Sequence, residues 1–171
     1  MLWLMPFGLA VHDIEEVCAL PSWIQGHADW IAQLAENHYF IGKLLDRMIK
    51  SLPSIPLEAL CIVLLASLMT GLAAYFGRKS AFFTGFLMIL GMAFLHIGVH
   101  IGQAFFVGGY IPGLGGALLV QLPCCLWLYR HLLRTGTITQ KEGIFTALLG
   151  IALFVPLIFM AHFLGALLIG G

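Results

Sequence analysis

Two short stretches of this chain carry side chains able to bind a metal ion and move protons. The first reads His12-Asp13-Ile14-Glu15-Glu16. At 100° per residue, positions i, i+3 and i+4 of a helix bring His12, Glu15 and Glu16 onto one face. The second reads His96-Ile97-Gly98-Val99-His100, an i, i+4 histidine pair, with Gln103 a further turn along. That spacing lets one helix offer two imidazoles to one ion. A mixed set of imidazoles and carboxylates suits a divalent transition metal, with zinc favoured and iron as the alternative.

The elements that must position these groups are apolar. Of 171 residues, 61% are hydrophobic and 9% charged, and the mean hydropathy is +1.01. A soluble domain carries roughly 25% charged residues, so lipid is the expected solvent. Eight basic residues balance eight acidic ones, which leaves no basic footprint for nucleic acid. Hydropathy predicts an all-α, polytopic membrane helical bundle of a single domain, with about five transmembrane helices at 1–20, 57–76, 81–107, 113–133 and 143–169. Between them, an apolar stripe of 3.6-residue period predicts one amphipathic interfacial helix at about 23–50, with His27 and His38 on the stripe.

Depth ties the two stretches together. In a five-span chain the first, third and fifth helices run the same way. At about 1.5 Å per residue, His12 to Glu16 then lie roughly 17 to 23 Å from the starting side, His96 to His100 roughly 22 to 29 Å, and His162 roughly 29 Å. No Lys or Arg shares that layer. A bare carboxylate there costs several kcal/mol or more, and a cation bound with the histidines removes the problem. Basic residues give the orientation: Arg78, Lys79, Arg130, Arg134 and Lys141 share one side against Lys43, Arg47 and Lys50 on the other, which predicts a cytoplasmic N-terminus.

Plainer readings stand beside these. If 1–20 does not span, the acidic cluster is a solvated helix end, and paired histidines also bond across helices without a metal. The glycines at 108, 109, 113, 115 and 116 lack the Lys-Ser/Thr of a phosphate loop and read as close helix packing. Cys18, Cys61, Cys124 and Cys125 show no CxxC spacing and read as buried thiols. Pro123 and Pro156 read as kinks in their helices.

With these residues in view, the chain resembles the HXXEE-domain family of small integral membrane proteins. The motif stands here as His12-Asp13-Ile14-Glu15-Glu16. The family's second motif, Asn-or-His-x-x-x-His, fits His96 to His100. Further likeness lies in Leu20-Pro21-Ser22-Trp23, in Gln103 followed by Tyr110-Ile111-Pro112-Gly113, and in Ala161-His162-Phe163-Leu164-Gly165, with residues 26–57 matching loosely. The resemblance implies a membrane enzyme of unnamed reaction. Because the family accepts Asn at the place of His96, it also implies that His96 is either a ligand or a polar neighbour of one.

The combined expectation is a metal-dependent membrane hydrolase acting on a lipid-soluble or amphiphilic small molecule, with membrane lipid around it. His12, Glu16, His96 and His100 are the expected ligands. Glu15 is the expected general base toward water made acidic by the ion, and Gln103, Tyr110 and His162 orient substrate or ligands. Two alternatives stay open: a di-iron oxidoreductase and a small proton or metal-ion transporter.

Overall fold

The computed structural model describes residues 1–37, 42–43, 49 and 52–169, the side chains of 155, 157–159 and 161–169 excepted. These residues are helical, with no strand among them. Helix α1 runs Leu4–Gly26 and α2 Ala28–Asn37. Then come α3 Ile55–Phe76, α4 Ala81–Val107, α5 Leu114–Arg134 and α6 Gln140–Ile169.

Local chemistry sets the ends. Pro56 sits in the first turn of α3, where its missing N–H costs nothing. The Ser80 hydroxyl accepts from the backbone N–H of Phe83 at 3.1 Å and caps α4. At the start of α6, Thr139 and Glu142 form a reciprocal capping box. The Thr139 N–H donates to the Glu142 carboxylate at 2.7 Å, and the Glu142 N–H donates to the Thr139 hydroxyl at 3.2 Å. These Thr139 bonds, with Arg78 3.4 Å away, hold the Glu142 carboxyl below its usual range. Within α5 the turn Ala117–Gln121 is a π-helix. It lies just before Pro123, whose ring cannot donate to the preceding turn.

Among the described residues three helices, not the expected five, are long and apolar enough to cross a membrane: α3, α4 and α5. The acidic run Asp13, Glu15 and Glu16 sets α1 apart. Helix α6 is 30 residues long, but many of its side chains lie outside the described residues. The expected break between 20 and 23 is absent, because α1 continues through Pro21 to Gly26. The expected interfacial helix is therefore replaced by the shorter α2; residues 38–41, 44–48 and 50, His38 included, lie outside the described residues.

The interior is a layer of apolar side chains shared by α1, α3, α4 and α5, with Met5, Phe86, Leu90 and Leu128 fully enclosed. Large apolar groups also cover the outside. Leu64, Leu68, Tyr75, Phe105, Leu119 and Phe145 are all exposed, the distribution a lipid solvent allows. Small residues bring α4 and α6 together: a methyl added at Gly91 would meet the Ala147 Cα at 2.5 Å, and one at Gly150 would collide with the Met88 carbonyl. Expectation and structure part over the thiols. All four cysteines are free, but Cys125 alone is buried, while Cys18 and Cys61 face outward.

Candidate metal centre

Helices α1 and α4 face each other where the two motifs lie. His12, on the buried stripe of α1, is fully enclosed. Its Nδ1 lies 2.9 Å from the carbonyl oxygen of Gly113. A carbonyl can only accept, so Nδ1 carries the proton and Nε2 presents a lone pair to the interior. That Nε2 is 2.8 Å from His96 Nε2, which in turn is 3.1 Å from His100 Nε2. The three rings stand nearly perpendicular to one another, at 79°, 83° and 85°. Glu16, one turn beyond His12, brings Oε2 to 3.4 Å from His12 Nε2 and 4.0 Å from His100 Nε2.

One ligand atom from each of His12, Glu16, His96 and His100 lies within 4.8 Å of every other. Four donors held tetrahedrally at about 2.0 to 2.1 Å from an ion stand about 3.3 Å apart, close to the spacing seen. Protons alone satisfy this arrangement poorly. A neutral His96 has at most one proton on Nε2 and cannot direct it at both neighbouring nitrogens. One of the two contacts is then left without a hydrogen between the nitrogens, whereas a cation serves every lone pair at once. The His/Glu group can hold a metal ion.

Glu15 goes elsewhere. The two glutamates of the motif diverge by 100° around α1, and Glu15 turns toward the start of α5. Its Oε1 accepts from the Tyr110 hydroxyl at 2.6 Å and from the Gly115 N–H at 3.2 Å, while Oε2 accepts from the Gly116 N–H. A carboxylate on the free N–H groups of a helix N-terminus is favourably placed. Both Glu15 oxygens therefore accept hydrogen bonds from the loop before α5 and its first turn. Partial burial and the Glu15 carboxylate push the Tyr110 phenol up to about 12.

The other expected residues divide. Tyr110 reaches the site only through Glu15. Gln103 is exposed on α4 and makes no hydrogen bond to the cluster. The side chain of His162 lies outside the described residues. His27 stacks on Trp23 at 4.2 Å, and His131 on Trp127 at 5.4 Å, both away from the cluster.

Several further residues at the site had no role assigned from the sequence. Asp13 stood in the motif without an assigned role; Oδ1 is 3.8 Å from His12 Nε2, and Oδ2 is buried with no partner. Phe154 of α6 lies against His96 at 5.9 Å. The Trp23 indole donates to the Tyr110 carbonyl at 2.8 Å and ties the end of α1 to the loop over the site. Gly113 (φ +84°) turns the chain so that its carbonyl meets His12, and a methyl there would lie 2.6 Å from the His12 ring. At Gly116 a methyl would lie 2.8 Å from the His12 Cα. Of the glycines read as packing residues, Gly113 and Gly116 lie against His12, whereas Gly108 and Gly109 have nothing within 4 Å of an added methyl. Pro112 followed by Gly-x-Gly-Gly before an apolar run was the available signal, a turn opening a helix.

Fold and site together define a helical bundle of membrane-like helices around an interior His/Glu group able to hold a metal ion. The chain belongs to the family described as proteins of unknown function with an HXXEE motif, which matches residues 3–128. That range includes all four residues of the cluster and ends before the likeness read at 161–165. Neither a search of curated proteins nor one of solved structures gives a match.

Proposed function

We propose that the protein is an integral membrane, metal-dependent hydrolase acting on a lipid-soluble or amphiphilic substrate. The observation that carries the reading is the convergence of three imidazole nitrogens and one carboxylate oxygen, within 4.8 Å of one another, inside an apolar bundle. A divalent cation there supplies Lewis acidity and brings the ionisation of water close to neutral pH. His12, His96, His100 and Glu16 would hold it. Gly113 fixes the tautomer of His12 through its carbonyl, as the outer partner of a ligating histidine does. Asp13 offers an unpartnered oxygen beside His12 as acceptor for a water at the cluster. Glu15, Tyr110 and Trp23 hold the loop that closes the site.

Among the described residues the donors form one group of four, which suits one ion better than the two of a di-iron centre, which draws on a larger set of Glu and His side chains. Zinc, which favours four-coordinate imidazole and carboxylate sites, is the proposed ion. The reading also extends α1 and α6 across the membrane with α3, α4 and α5. In support, Glu16 of α1 turns to the cluster and Glu15 to the start of α5. Met1 and Arg78 border one hollow, and Arg78, Lys79 and Arg134 stand at the ends of α3 and α5, which supports placing the N-terminus on the cytoplasmic side.

The test is hydrolysis of long-chain fluorogenic esters and amides by protein purified in detergent. The reading expects turnover that a chelator abolishes and zinc restores, and that His100→Ala lacks in either state. Turnover indifferent to both chelator and His100→Ala would exclude it. Proton or metal-ion flux through liposomes, without turnover, would favour the transporter.

A further inference from the structure

One buried polar group takes no part in the cluster. The side chain of Gln121 is fully enclosed, and neither its Oε1 nor its Nε2 has a hydrogen-bond partner. A buried amide without partners is destabilising, and replacing it with an apolar group of similar shape removes that cost. Leu or Met would serve a purely structural position better.

Two further observations point to a use. Gln121 closes the π-helical turn Ala117–Gln121, and such turns recur at functional sites. It also lies against the helix that carries His12. A methyl added at Gly8 would meet the Gln121 Cα at 3.0 Å, and Gly8 precedes His12 by one helical turn, about 6 Å. Gln121 therefore lies on α5 against α1, about one turn from the level of His12.

We infer that Gln121 is a substrate-recognition residue: its amide binds a group that both donates and accepts a hydrogen bond on an otherwise apolar molecule, one helical turn from the metal-binding cluster. The amide is a donor at Nε2 and an acceptor at Oε1. A hydroxyl or carboxamide meets both. An ester or ketone only accepts, and would leave Oε1 without a partner. An anionic group is disfavoured because neither α1 nor the turn Ala117–Gln121 carries a Lys or Arg to offset it. The substrate class is then a long-chain amphiphile with a hydroxyl or carboxamide close to the reacting bond. This substrate assignment rests on the hydrolase reading, while the recognition by Gln121 is measurable without it.

The experiment titrates zinc-loaded protein in detergent with hexadecanol, hexadecanamide, methyl hexadecanoate and hexadecane, following tryptophan fluorescence and thermal unfolding. The parent should bind hexadecanol and hexadecanamide about tenfold or more tighter than the other two. In Gln121→Met the preference should vanish, the melting temperature rise, and bound zinc stay at the parental level. Gln121→Asn, which retains both polar groups, should keep part of the preference. A parent that binds all four alike, or a Gln121→Met protein that keeps the parent's preference, overturns the proposal. If Gln121→Met does not fold, the parent and Gln121→Asn still decide it: a parent without preference, or Gln121→Asn identical to the parent in both affinity and selectivity, counts against recognition by this amide. A parent lacking zinc but preferring the hydroxyl and amide probes would sink the hydrolase reading and leave Gln121 as a recognition residue.

Discussion

Two adjacent glutamates with the same chemistry have different work because a helix turns 100° between them. Glu16 stays on the face of His12 and joins the cluster. Glu15 leaves it for Tyr110, Gly115 and Gly116. Glu15→Gln removes the anion from the start of α5, and with it two of the causes that raise the Tyr110 phenol, the hydrogen bond and the charge. The expected outcome is a tyrosine whose ionisation falls from about 12 toward the ordinary 10, seen in a difference ultraviolet titration against Tyr110→Phe. Stability should fall by about 1 kcal/mol, the scale of a charge at a helix end. The sign follows from the pair: a phenol that loses a neighbouring negative charge ionises more easily, so its titration moves to lower pH. A titration unchanged by Glu15→Gln would mean that the two groups do not meet. The members of the His/Glu group were legible in the sequence at this scale, since imidazoles and carboxylates are visible as letters. The separate duty of Glu15 was not, because its partners are two backbone N–H groups and a phenol 95 residues away.

At the scale of elements, the glycine turn before α5 matters as much as either motif. Gly113 has φ +84°, and its carbonyl receives the His12 proton. An alanine there would be strained by about 1 kcal/mol in the left-handed region. Its methyl would also press on the His12 and His100 rings at 2.6 and 3.0 Å. Gly113→Ala should therefore lower zinc affinity by about tenfold or more, equivalent to about 1.4 kcal/mol, in competition with a chromophoric chelator. Gly98 stands between His96 and His100 with nothing within 4 Å of an added methyl. Gly98→Ala should leave affinity unchanged and slightly stabilise α4. Equal affinity in Gly113→Ala and parent would remove the turn from the account. The π-helical turn was also hidden from the sequence: Pro123 announces a distortion but not its kind, and only the placed backbone shows that it ends at Gln121.

For the whole molecule, composition foretold a helical bundle with an apolar exterior, because hydropathy reports the solvent directly. Helices α3, α4 and α5 begin and end within two residues of expectation. The first helix was harder to place. A stretch carrying Asp13, Glu15 and Glu16 is polar by the same measure that finds its neighbours, and only the partners of those groups explain its position. Its far end was set at residue 20, whereas the helix passes through Pro21 to Gly26. The cluster depends on this arrangement, with α1 and α4 supplying ligands, Gly113 and Gly116 at the start of α5 lying against His12, and α6 placing Phe154 against His96.

The central claim, that this bundle holds one divalent ion between His12, Glu16, His96 and His100, is tested most directly by elemental analysis and metal-edge X-ray absorption on protein purified without chelators. The account predicts about one zinc per chain, with three imidazole nitrogens and a carboxylate oxygen at about 2.0 to 2.1 Å, and its loss from His12→Ala and His100→Ala proteins that still fold. A parent without stoichiometric metal after zinc is supplied, or bound zinc that survives both substitutions, would contradict it.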